Sequence, residues 1–110
     1  MVQYHTIGLA FAALADPTRR GILERVGRGE ASISDLAASF DMTLTGMKKH
    51  VRTLEAAKLV TTRKVGRVRS VVLGPNRMDE EAEWIESHRR MLEERLDQLG
   101  AFLEGKQGTP

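Results

Sequence analysis

The chain has 110 residues, 41% hydrophobic, 29% charged and 5% aromatic, which suits one small domain with an appended arm and excludes two independent cores. Charged and apolar positions are interspersed, against wholesale disorder, and no apolar run approaches the roughly 18 residues that a membrane span needs. With no cysteine, disulfides, thiolate metal sites and thiol redox sensing are excluded, and the net charge of +2 conceals a strong segregation along the chain.

The first residues lack a basic lead-in and enter an Ala-rich stretch, so a signal peptide is not expected and a cytoplasmic location is. Helical density of apolar residues predicts a short helix over residues 7–14, with Ile7 and Phe11 on it. Asp16-Pro17-Thr18 opens a second helix: Asp16 accepts from free first-turn amides, and Pro17 stands where a missing N–H costs nothing. Ile22, Leu23 and Val26 form its buried stripe, and Gly27 and Gly29 stop it. Of Arg19 and Arg20, one is expected to pair with an acid or brace the fold. After a brief extended segment at Ser32-Ile33, Ser34 is read as the cap of a third helix whose Leu36, Ala37 and Phe40 face inward.

Asp41-Met42 is a tight break, and Thr43 a plausible cap for a fourth helix over residues 43–57. Met47, Val51 and Leu54, spaced four and three, give it one narrow apolar stripe, leaving Thr45, Lys48, Lys49 and Arg52 outside. Two short helices joined by a short turn, the second with a basic outer face, make a helix-turn-helix unit. The period then changes: β-branched runs flank Gly66-Arg67, predicting a β-hairpin over residues 59–73 with a basic tip, ended by Gly74-Pro75-Asn76. Residues 41–69 hold eight Lys or Arg against two acids, a net +6, which suits a polyanion such as DNA.

From Asp79 helical spacing returns, with Trp84, Ile85, His88, Leu92, Leu96, Leu99 and Leu103 on one side. At about 1.5 Å per residue, residues 79–104 span roughly 39 Å, too long for so small a core to cover, so part of the stripe needs a partner. This segment is acidic, net −6. Residues 105–110 are expected to be a flexible tail. The pattern is therefore mostly α with a β-hairpin wing: a winged helix-turn-helix domain over residues 1–78, flanked by terminal helices that include a dimerisation helix over 79–104.

The expected DNA-contacting residues are Thr43, Leu44, Thr45, Gly46, Lys48, Lys49, His50 and Arg52 from the fourth helix, with Lys64, Arg67 and Arg69 from the hairpin. Lys48, near the helix start, is best placed for a guanine edge, Lys49 and Arg52 for phosphates, and Leu44 for a thymine methyl. Capping alone explains Thr43 equally well. Ile7, Phe11, Trp84, Ile85, His88, Leu92, Leu96, Leu99 and Leu103 are the expected dimer contacts. A phosphate-cradling Gly loop, a nucleophile elbow and an HExxH pair are all lacking, so an enzyme is not expected. Nor is a cofactor or a metal: positions 81 and 88 lie two turns, roughly 10 Å, apart. The alternatives are a winged helix that binds protein rather than DNA, and a repressor sensing a metal through His5 and His88 at a dimer interface, or a small molecule between the terminal helices.

Three strings carry a resemblance. Ala13-Leu14-Ala15-Asp16-Pro17-Thr18-Arg19-Arg20 with Ile22-Leu23, then Ser34-Asp35-Leu36-Ala37, then Lys49-His50-Val51 with Leu54-Glu55-Ala56-Ala57-Lys58-Leu59-Val60, resemble ArsR-family bacterial transcriptional repressors in order and spacing over residues 6–73. The resemblance implies a homodimeric repressor of a short palindromic operator, with the helix at 43–57 in the major groove and the terminal helices at the dimer. Many members sense metals through cysteine pairs, which this chain lacks; it is similar to the branch that opens with Asp-Pro-Thr-Arg-Arg, whose effectors are often unknown. Two further departures are Asp41 where Gly is common in the turn, a residue that tolerates a left-handed conformation, and Gly46 early in the fourth helix, which costs roughly 1 kcal/mol relative to Ala.

Overall fold

A computed structural model describes the backbone of residues 2–108 and the side chains of residues 7–105. Tyr4 and His5 lie outside the described side chains. The elements run α1 (Val2–Leu14), α2 (Pro17–Gly27), β1 (Ala31–Ser32), α3 (Ile33–Ser39), α4 (Leu44–Ala56), β2 (Val60–Val65), β3 (Val68–Leu73) and α5 (Asp79–Gly108). They fall into two units, one ending at Asp79 and one beginning at Glu80.

In the first unit the helices pack on one another and on a three-stranded antiparallel sheet of order β1-β3-β2. The hairpin is closed at Val65 opposite Val68 by the two-residue turn Gly66-Arg67, where Gly66 takes a φ of 64° that suits glycine at the first turn position. The brief extended segment expected at Ser32-Ile33 lies one residue earlier, as the strand Ala31–Ser32, with Ala31 opposite Val71 and Ser32 opposite Ser70, while Ile33 already begins α3. The core gathers Ile22, Val26, Leu36, Met47, Val51, Leu54, Val60 and Val71, each essentially removed from water. Burying a side chain of this size contributes about 1.5–3 kcal/mol.

Caps define the helices. Asp16 accepts from the Arg19 amide at 3.0 Å and Thr43 Oγ1 from the Gly46 amide at 3.0 Å, so both expected caps are used. The cap of α3 is Ser32 rather than Ser34: Ser32 Oγ accepts from the Asp35 amide, so the helix starts at Ile33 and buries Ile33, Leu36 and Ala37 along one face. At the other end of α3 the chain leaves through a left-handed Asp41, φ 53°. The Asp41 and Met42 amides bond the Ala38 and Ala37 carbonyls, the paired bonds of a Schellman motif, and Met42 folds back on the core. α4 ends the same way: Lys58 is left-handed at φ 61°, its amide bonds the Glu55 carbonyl, and the Leu59 amide bonds the Leu54 carbonyl. The two left-handed residues therefore fix both ends of the turn-helix segment.

The segment after the hairpin does more than end it. The Gly74 amide bonds the Leu59 carbonyl, the Asn76 amide the Lys58 carbonyl, and Asn76 Nδ2 the Ala57 carbonyl. A Cβ on Gly74 would lie 2.4 Å from the Lys58 carbonyl oxygen, so only glycine permits this approach. Gly21 similarly leaves room for the Phe40 ring, which would stand 2.8 Å from an added Cβ.

The second unit is α5. Its 30 residues continue helically past the expected boundary at 104, to Gly108, at the expense of the expected tail. Arg89 bridges Glu86 and Glu93 along its surface, exposed pairs of small energetic weight. Trp84 and His88, one turn apart, stack with ring centres 5.0 Å apart. Ile85, Leu92, Leu96, Leu99 and Leu103 are 47–65% exposed, and Met91 and Phe102 extend the apolar surface to one flank of that stripe.

Candidate nucleic-acid interface

The outer face of α4 and the inner face of the hairpin enclose a groove. Its two parts share Ile33, Lys48 and Arg69. One, of about 320 Å³, is lined by Ile33, Lys48, Val51, Arg52, Glu55, Thr62 and Arg69. The other, of about 360 Å³, adds Ser34 and Leu44 on the helical side and Lys64, Arg67 and Val68 on the hairpin. Lys48 and Arg52 reach it because they are one turn apart on α4, beside the buried stripe of Met47, Val51 and Leu54, whose Val51 forms part of the groove wall. Lys64 and Arg69 reach it because they are paired across the strands on one face of the hairpin.

Six of the expected contact residues are thus brought together: Leu44, Lys48, Arg52, Lys64, Arg67 and Arg69. The remaining five line neither part of the groove. Lys49 is exposed but projects about 100° round the helix from Lys48. Thr45 is exposed, and the Thr43 oxygen caps the helix. Gly46 faces its own cap: a Cβ there would lie 3.1 Å from Thr43 Oγ1 and 3.3 Å from Met42 Cε, which gives this glycine a packing reason within the fold. His50 turns to α2, its Nδ1 3.2 Å from Arg19 Nη1.

Arg19 and Arg20 brace the α1–α2 junction. Arg19 donates to the Ala12 and Ala13 carbonyls and Arg20 to the Leu14 carbonyl. Arg63, on the opposite face of the hairpin from Lys64 and Arg69, pairs with Glu30 at 3.2 Å. The same Glu30 oxygen accepts from the Ser70 hydroxyl, and that bond, then Arg63, holds the carboxyl below the usual range. Glu55 accepts from both the Thr62 amide, at 3.1 Å, and the Thr62 hydroxyl, at 2.9 Å, tying the end of α4 to the hairpin. Arg69 Nη1 in turn donates to Thr62 Oγ1 at 3.3 Å.

Sequence reasoning did not find Glu55 and Thr62. The signals were there: Glu55 is the lone acid of α4, and Thr62 shares a strand face with Lys64. Among the described residues no three His, Asp or Glu side chains come together as a metal site, and no helix is long and apolar enough to cross a membrane.

What the groove offers is five cations and an apolar Leu44, 45% exposed, on a helix flanked by a hairpin, complementary to a polyanion that also presents an apolar group. Comparison with known proteins agrees. A helix-turn-helix domain model matches residues 14–63. The HTH-type transcriptional regulator Rv2034 of Mycobacterium tuberculosis is 35% identical over 75 residues, 68% of this chain and 70% of that protein. A crystal structure of an ArsR family transcriptional regulator superposes with a TM-score of 0.70 at 38% identity, covering 83% of this chain and 91% of that one. An ArsR-like transcriptional regulator from Rhodococcus sp. RHA1 gives a TM-score of 0.72 at 30% identity, with 90% and 93% covered. The fold, the helix-turn-helix and the similarity to solved structures over 83–90% of the chain agree: this protein belongs to the ArsR family of transcriptional regulators.

Proposed function

We propose that the protein is a homodimeric repressor that reads a short palindromic operator with α4 in the major groove and the hairpin beside it, acting in the cytoplasm and by binding rather than catalysis. The observation that carries this reading is the groove that joins Lys48 and Arg52 of α4 to Lys64, Arg67 and Arg69 of the hairpin. Lys48 reads a base edge, Leu44 meets a thymine methyl, and Thr43, Thr45, Lys49, Arg52 and the hairpin cations hold phosphates. Gly46 and His50 lie beside these contacts. The exposed stripe of α5 supports self-association, with Trp84, Ile85, His88, Leu92, Leu96, Leu99 and Leu103 at the interface, joined by the half-buried Ile7 and Phe11 of α1.

Selection from a random duplex library, followed by footprinting, tests this. Enrichment of a palindrome whose half-sites lie about 34 Å apart, one DNA turn, is the expected result. Removal of Arg67 is expected to weaken binding to all sequences alike and to lower the salt slope by about one phosphate. No enrichment of any duplex would overturn the reading.

A further inference from the structure

The lone carboxylate of α4 stands on a surface that otherwise favours a polyanion, where it opposes phosphates within a screening length of about 8–10 Å. Its bonds say what it does there. One oxygen of Glu55 holds the Thr62 amide and hydroxyl together. Because the Thr62 hydroxyl gives its proton to Glu55, its lone pairs are free to accept, and they accept from Arg69 Nη1. We infer that Glu55 is a positioning residue: through Thr62 it aims the Arg69 guanidinium into the 320 Å³ cavity shared with Lys48 and Arg52, making a seat for one DNA backbone phosphate that α4 and the hairpin build jointly. The inference rests on the DNA-binding reading above and deepens it.

Three features favour a phosphate in this seat. Arg69 bonds a hydroxyl rather than a carboxylate, so its charge is not cancelled by a direct pair, in contrast to Arg63, which Glu30 engages. A guanidinium has five N–H groups, and one bond to Thr62 leaves a fork to meet two phosphate oxygens. The cavity also has three cations on its rim from two elements, so a phosphate seated there fixes the distance between recognition helix and hairpin.

The test measures the salt dependence of binding to a labelled random-sequence duplex of about 30 base pairs, for which no operator is needed. Arg69→Ala is expected to lower the slope of log affinity against log salt by about 0.9, one phosphate. Glu55→Ala is expected to lower it equally, the double variant is expected to go no lower, and Glu55→Gln, which keeps the acceptor, is expected to restore the wild-type slope. Tighter binding by both Glu55→Ala and Glu55→Gln, with the slope undiminished, would make Glu55 only an opposing charge and overturn the inference. A lower melting temperature for Glu55→Ala with an unchanged slope would make it only structural, with the same consequence. An unchanged slope for Arg69→Ala would remove the phosphate seat while leaving DNA binding through Lys48 intact. Absence of salt-dependent binding by the wild-type chain would instead sink the DNA-binding reading, and the inference with it.

Discussion

Arg19 of α2 reaches across to His50 of α4, its Nη1 3.2 Å from His50 Nδ1, while Nε and Nη2 hold the Ala13 and Ala12 carbonyls at the end of α1. A guanidinium only donates, so Nδ1 accepts and the ring proton sits on Nε2. One side chain thereby bonds two carbonyls at the end of α1, with Arg20 holding that of Leu14, and pins the recognition helix to the α1–α2 junction. Arg19→Ala is expected to cost about 2 kcal/mol in urea unfolding, the worth of a charged hydrogen bond, and to leave the salt slope of DNA binding unchanged. A slope lower by one phosphate would place Arg19 on DNA instead.

In the first unit, acid sensitivity has two identified sources. The Arg19 amide, ahead of the Arg19 charge, holds the Asp16 carboxyl below its ordinary 3.8; Ser70, then Arg63, holds Glu30 below 4.5. Lowered folded-state values mean that both contributions are present above the ordinary carboxylate range and vanish as pH falls through the folded-state values. Melting temperature is expected to decline between about pH 5 and pH 3, and the decline to be shallower in an Asp16→Asn, Glu30→Gln double variant. An equally steep acid limb in that variant would show that other groups carry it.

Asp41 and Lys58 occupy the left-handed positions that end α3 and α4, at φ 53° and 61°. Glycine lacks the Cβ that makes this conformation costly, so Asp41→Gly and Lys58→Gly are each expected to stabilise the fold by about 1 kcal/mol, read from denaturation midpoints. Destabilisation by either would mean that its side chain makes a contact worth more than the relieved strain.

Leu96 of α5 is 65% exposed in the single chain, so a polar residue there costs little unless another surface covers it. Sedimentation of the full chain is expected to give a dimer and Leu96→Lys a monomer that keeps its helical circular dichroism. A monomeric wild type at micromolar concentration would contradict the proposed interface.

How legible these features were depends on whether their cause is local. Asp16, Pro17 and Thr43 announce their helices because capping acts over three residues, and the left-handed tolerance of Asp41 could be anticipated at the turn for the same reason. Ser32 and Ser34 present the same chemistry two residues apart. Only the burial of Ile33 inside the helix, and the pairing of Ala31 and Ser32 with β3, decides for Ser32. Lys48 and Arg52 followed from helical spacing, and Lys64 and Arg69 from the hairpin. The Glu55–Thr62–Arg69 chain did not, because it depends on how closely the hairpin lies against α4. Gly74 likewise read as a strand end, whereas its missing Cβ is required by backbone brought back from Lys58.

Lys48 stands where both parts of the groove meet, and its replacement tests most directly whether this surface reads DNA. Measured by fluorescence anisotropy on a selected operator and on its single-base variants, Lys48→Ala is expected to weaken operator binding by about 1–3 kcal/mol and to flatten the preference at one base pair in each half-site. Operator affinity and base preference both unchanged in Lys48→Ala, with the protein folded, would contradict recognition through this face of α4.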